Sequence, residues 1–124
     1  MKKLIDYKLF EYSTSLSEEE LMEMSNVTSN ETGIENIVLW IGPNPQTHGY
    51  RIKVSNIPNK ISSESLFVIT IPELEIIGNV NKKFITKSKI EKIKEFIIKN
   101  MQVIMDYSDY KISTKQLLDN LIKV

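Results

Sequence analysis

The chain is 124 residues long, 41% of them hydrophobic and 26% charged, which is material for one folded domain and too apolar for a disordered segment. Sixteen basic residues balance sixteen acidic ones, so the whole-molecule field does not favour nucleic acid. There is no cysteine, which excludes disulfides, cysteine-based zinc sites and thiol nucleophiles.

The first residues, MKKLIDYKLFEYSTS, start with two lysines, but Asp6, Lys8 and Glu11 interrupt the apolar run that a secretory leader needs. No stretch reaches the length of a membrane span, and a cytoplasmic protein is expected. Residues 4–12 alternate well enough to predict a strand, with Ile5, Tyr7 and Leu9 on one face. Ser17 and Glu20 have the S-x-x-E spacing of a capping box, with Leu16 and Leu21 placed as a hydrophobic staple, and they predict a short helix ending near Asn26. Residues 26–33 read as a polar connector.

Residues 36–56, NIVLWIGPNPQTHGYRIKVSN, hold the only Trp (Trp40), the only His (His48) and the only Arg (Arg51). The continuous apolar run 36–41 predicts an interior strand with Trp40 as packing. Gly42-Pro43-Asn44-Pro45 ends it, since each proline lacks an N–H and restricts its predecessor. Residues 50–54 alternate strictly: Tyr50, Ile52 and Val54 face one way, Arg51 and Lys53 the other, predicting a half-buried strand with a basic outer face. A turn-rich loop over 55–65 leads to a strand at 66–71, stopped by Pro72. A further strand is expected at 74–80, ended or bulged by Gly78.

The last third is helical. Ser88 and Glu91 repeat the capping spacing, and Ile90, Ile93, Phe96, Ile97, Met101, Ile104 and Met105 form one long amphipathic stripe. The pattern breaks at Tyr107-Ser108-Asp109-Tyr110. Ser113 and Gln116 then cap a final helix with Leu117, Leu118, Leu121 and Ile122. The expected architecture is a single α+β domain over 1–124. It is an antiparallel sheet of four or five strands with one long amphipathic helix packed on it and short helices near both ends.

Chemistry is thinly represented. His48 titrates near neutral pH but has no acid beside it in sequence and no second His, so neither a metal site nor a catalytic residue is assigned, and no cofactor is expected. No phosphate-binding glycine loop and no nucleophile elbow is present. Binding is the better reading. The turn-rich loop between the central strands, with Asn44, His48, Tyr50, Arg51 and Lys53, is the candidate binding surface. The charges are also segregated: positions 11–35 carry seven acids and no Lys or Arg, and positions 82–99 carry seven lysines against Glu91 and Glu95. Lys82, Lys83, Lys87, Lys89, Lys92 and Lys99 are therefore the candidate nucleic-acid face, although they lack interleaved exposed aromatics for stacking.

Three motifs in the last 90 or so residues stand together. They are the Pro/His stretch 45–54 (PQTHGYRIKV), the helix I-x-x-F-I-I-x-N-x-x-x-I-x-x-Y at 93–107, and D-x-K-I-S-T-x-x-L-L at 109–118. With a short strand ending in Gly, Leu74 to Gly78, between the first motif and the second, this combination resembles a group of small uncharacterised bacterial domains, some encoded near toxin–antitoxin or other mobile-element genes. Their hairpin carries a P-P-H-x-H-V type motif, with two His where this chain has His48 alone. The resemblance implies a regulatory or partner-binding role on a bacterial or phage chromosome. The expectations are therefore a non-enzymatic interaction or regulatory module that binds a protein partner or itself, then a nucleic-acid-associated protein, then a small ligand-binding or hydrolytic site at His48. No membrane association is expected.

Overall fold

The computed structural model describes residues 25–42, 49–58 and 65–124. The strand expected at 4–12, the cap at Ser17, and Pro43, Asn44, Pro45 and His48 lie outside the described residues. Strands β1 (Ser25–Val27), β2 (Leu39–Ile41), β3 (Tyr50–Ser55), β4 (Leu66–Ile71) and β5 (Ile76–Ile77) form one sheet in chain order, every neighbouring pair antiparallel. The helices are α1 (Ser29–Thr32), α2 (Lys87–Lys99), α3 (Met101–Ser108) and α4 (Thr114–Asn120). The α+β class and the antiparallel sheet are as expected from the sequence.

Register sorts the strand residues into two faces. Val27, Leu39, Val54 and Phe67 form one cross-strand row, and Ile41, Ile52, Ile69 and Ile76 form the next. These rows meet Ile93, Phe96 and Ile97 of α2, Ile104 and Tyr107 of α3 and Leu117 of α4 in the main core. The stripe predicted for the helical third is therefore the face that packs on the sheet; each such side chain contributes about 1.5–3 kcal/mol on full burial.

The opposite face runs Asn26, Trp40, Lys53, Val68, Ile77 across all five strands. Trp40 is buried, only 1% exposed, but it sits with Val38 and Leu66 in a cluster separate from the main core. Arg51 and Lys53 are half-buried on this face. The basic outer face read from residues 50–54 is thus apolar at its centre. Strands written as continuous apolar runs bury both sides, whatever one neighbour's alternation suggests.

Three local expectations give way. Ser25 and Asn26, assigned to the end of a helix, are extended in β1, because docking against β2 outweighs weak local helix signals. The connector over 26–33 contains α1, whose Thr28 and Glu31 form a reciprocal capping box and whose exit is Gly33 at φ 78°. The strand expected at 74–80 is only two residues long. Leu74 (φ 62°) and Gly78 (φ 104°) bracket it in left-handed conformations that cannot extend a ladder. Between β4 and β5 the chain makes a tight hairpin through a cis Ile71–Pro72 bond.

The long helix is also divided. It begins one cap earlier than Ser88, with the Thr86 hydroxyl accepting from Lys89 N–H at 3.3 Å, and it breaks at Asn100. Asn100, 2% exposed, donates from Nδ2 to the Phe96 carbonyl at 2.8 Å and to the Ile122 carbonyl at 2.9 Å, while its Oδ1 accepts from Ile122 N–H at 2.7 Å. An Asn side chain that bonds back to the preceding turn competes with the helix it sits in. Here it trades helix continuity for a hold on the segment after α4. That segment also reaches α1, through Val124 N–H on the Thr32 carbonyl at 2.9 Å.

Candidate functional site

The loop chosen from the sequence springs from two stems, Gly42 after β2 and the start of β3 at Tyr50, and both stems are tied to the end of α3. The Ser108 hydroxyl donates to the Gly42 carbonyl at 2.8 Å. The Tyr50 hydroxyl donates to the Asp109 carboxylate, 2.7 Å from Oδ2 and 2.9 Å from Oδ1. The strict alternation of β3 turns Tyr50 towards the helix layer, opposite Ile71 on β4, and so places its hydroxyl at the helix end. The bond to Asp109 raises the Tyr50 phenol above its ordinary pKa, with smaller contributions from burial and from the negative charges of Asp109 and Asp106.

The end of α3 is a Schellman turn. Tyr110 N–H donates to the Tyr107 carbonyl at 3.0 Å and Lys111 N–H to the Asp106 carbonyl at 2.9 Å. The residue that must be left-handed is Tyr110, at φ 63°. Glycine usually occupies this position, as Gly33 does after α1. The Tyr110 side chain is 68% exposed, so packing does not explain the choice. A bulky exposed aromatic held at a backbone cost beside two anchored stems is an observation that points towards function.

Of the residues expected to bind, Tyr50 is in this arrangement; Arg51 follows it on the other face of β3, facing Thr70, and Lys53 lies between Trp40 and Val68. Asn44 and His48 lie outside the described residues. The sequence reading missed Ser108 and Asp109 as partners of the hairpin, and the left-handed Tyr110 beside them. A signal was present: a helix stop written S-D-Y, with no Gly to make the turn.

The lysines do not make one uniform face. Lys82, Lys83 and Lys87 are exposed around the start of α2, where the first turn carries no acid. Lys89 lies with its Nζ 4.1 Å from the centre of the Phe84 ring. At about 100° per residue, Glu91 and Glu95 fall in the middle of the exposed side of α2 and separate Lys87 from Lys92 and Lys99. Lys99 pairs with Glu95 at 4.0 Å.

Among the described residues, no three His, Asp or Glu side chains are grouped to hold a metal ion, and no helix is long and apolar enough to cross a membrane. Compared with known protein families, with curated proteins and with solved structures, the chain matches none.

Proposed function

We propose that the chain is a non-enzymatic protein-interaction or regulatory module that meets its partner with the hairpin end of the sheet. One observation carries this reading: both stems of the turn-rich loop are bonded to the end of α3, next to an exposed Tyr110 in a left-handed turn. Residues already held in place give up less freedom on binding, and Tyr and Arg are among the side chains that most often anchor interfaces. Tyr110 and Arg51 are the anchors assigned here. A role beside bacterial toxin–antitoxin or phage genes is the setting that the resemblance of the three motifs implies.

The test is co-expression with the products of the neighbouring genes, followed by co-elution on a sizing column. A partner that binds the wild type and is lost with Tyr110→Ala and Arg51→Ala, each checked for folding by circular dichroism, supports the reading. A partner retained by both variants places the interface elsewhere and defeats it.

A second reading, association with nucleic acid, is favoured by the start of α2. There Lys87 and Lys89 occupy a first turn whose dipole disfavours positive charge, with Lys82 and Lys83 just before it. Phosphates would relieve that repulsion. Retention on heparin and on DNA that falls steeply with salt supports it, and no retention at low salt ends it.

A further inference from the structure

The outer face of the sheet is buried at its centre, on the side away from α2, α3 and α4. Next to the row Asn26, Trp40, Lys53, Val68, Ile77 lies a second one, in which Ser55 N–H donates to the Val38 carbonyl at 3.0 Å and Ser55 pairs with Leu66. Val38, Trp40, Ser55, Leu66 and Val68 are all buried. Arg51 and Thr70, nearer the hairpin end, are half-buried, and Asn26 on β1 is exposed. The burial is thus centred on β2, β3 and β4. Side chains stand roughly perpendicular to a sheet, so strand neighbours cover the sides of a ring and leave its top in water. Trp40 is not left so, and the segment after β5 does not cover it, because Phe84 and Ile85 pack in the main core with the helices.

Three stretches remain to supply that layer: 1–24, 43–48 and 59–64. Residues 43–48 (PNPQTH) join β2 to β3 at the hairpin end, where the face is least buried, and residues 59–64 (NKISSE) contain one large apolar side chain, Ile61. Residues 1–24 run into the sheet at Ser25, opposite Ile41 and one strand away from Trp40. They carry the alternation Ile5, Tyr7, Leu9, Glu11, which is three apolar side chains and then an acid on one face. The outer face is the complement of that pattern: apolar around Trp40, with Lys53 set between Trp40 and Val68. An ammonium beneath an apolar layer needs a charged or hydrogen-bonding partner, and a carboxylate is the best one. Length is no obstacle, since residues 4–12 reach about 30 Å when extended and β2 to β4 lie about 10 Å apart.

We propose that residues 4–12 of this chain dock across the outer face of β2, β3 and β4, with Ile5, Tyr7 and Leu9 over Trp40, Val38 and Leu66 and with Glu11 beside Lys53. The chain then supplies its own cover for this face, and Lys53 serves that cover and not an outside partner. Arg51 stays with the hairpin end, so the proposal does not depend on the partner reading above.

The single tryptophan reads the contact in the full chain. Leu9→Asp puts a charge into the cover. Trp40 emission is expected to shift to the red and its quenching by acrylamide to rise severalfold, towards the value in the urea-unfolded chain, while far-ultraviolet ellipticity stays at the wild-type level. Ile61→Asp is expected to change neither signal. Glu11→Lys is expected to raise quenching as Leu9→Asp does, and Glu11→Lys combined with Lys53→Glu to bring it back towards wild type. Should a variant fail to fold, the wild type still decides: a carbodiimide joins carboxylates to lysines in contact, and a Glu11–Lys53 cross-link is expected in the monomer fraction. Trp40 signals left unchanged by Leu9→Asp in a folded chain overturn the proposal. So does a red shift produced by Ile61→Asp instead, a charge exchange that restores nothing, or a monomer fraction without the Glu11–Lys53 cross-link.

Discussion

Tyr110 allows a sharp test of the left-handed turn after α3. A side chain with a Cβ carries roughly 1–2 kcal/mol in this region, and glycine, which avoids that cost, gives back about 0.5–1 kcal/mol through its freer unfolded chain. Tyr110→Gly is therefore expected to be more stable than Tyr110→Ala by about 0.5–1 kcal/mol, although alanine is ordinarily the more stabilising residue. Comparing the two variants removes the ring from the balance, since both lack it. The wild type should lie at or slightly above the alanine variant, because its ring is 68% exposed and has little packing to lose. Urea unfolding followed by far-ultraviolet circular dichroism reads the difference. With slopes of about 1–3 kcal/mol/M, the midpoints should differ by roughly 0.2–1 M at unchanged slope. An alanine variant as stable as the glycine variant would show that the turn costs nothing at this position, and Tyr110 would lose its claim to be held there against a backbone penalty.

Gly33→Ala should destabilise by about 2 kcal/mol or more in thermal unfolding, since φ is 78° and an added Cβ would lie 2.7 Å from the Val124 carbonyl oxygen. Asn100→Ala leaves the Ile122 N–H and the Phe96 and Ile122 carbonyls without their side-chain partner; a loss of about 2 kcal/mol is expected, with hydrogen exchange at the Ile122 amide accelerated beyond the global change. Equal acceleration at all amides would refute a local hold. For Tyr50, the raised folded pKa means that the bond to Asp109 contributes fully below the unfolded value of about 10 and is lost as pH rises through the folded value. The stability difference between wild type and Tyr50→Phe should stay level to about pH 10 and shrink above it; a difference that grows with pH contradicts the assignment.

Much of the fold is legible because apolar runs of strand length have few alternatives. LFVITI between polar turns becomes β4 over its full length, and the strict alternation of YRIKV becomes most of β3. Ser113 and Gln116 form the reciprocal box that their spacing predicts. Elements that depend on a neighbour are read less well. Among the described residues β1 and β5 each pair with one strand only, and nothing in SNV or EII states which strand that is. Asn100 resembles any polar residue on a helix until its partners, 22 positions away at Ile122, are known. At the hairpin end, β3 is visible in the alternation, whereas the bond from Tyr50 to Asp109 spans 59 positions and has no local signature. Thr28-x-x-Glu31 followed by Gly33 went unread within a stretch taken as a polar connector; it belongs to a helix of a single turn, shorter than any apolar period can reveal.

The placement of Trp40 divides the spectroscopy of this protein in a useful way. It is the only tryptophan, and it belongs to the cluster with Val38 and Leu66, while the described helices α2, α3 and α4 pack on the other side of the sheet. Emission excited at the red edge therefore reports the environment of one layer, and the far-ultraviolet signal includes the helices α2, α3 and α4 of the other. If both layers unfold as one cooperative unit, the two denaturation curves superimpose; if the Trp40 side loosens first, fluorescence changes before ellipticity does. A single titration with two detectors thus measures how tightly the two faces of this sheet are coupled.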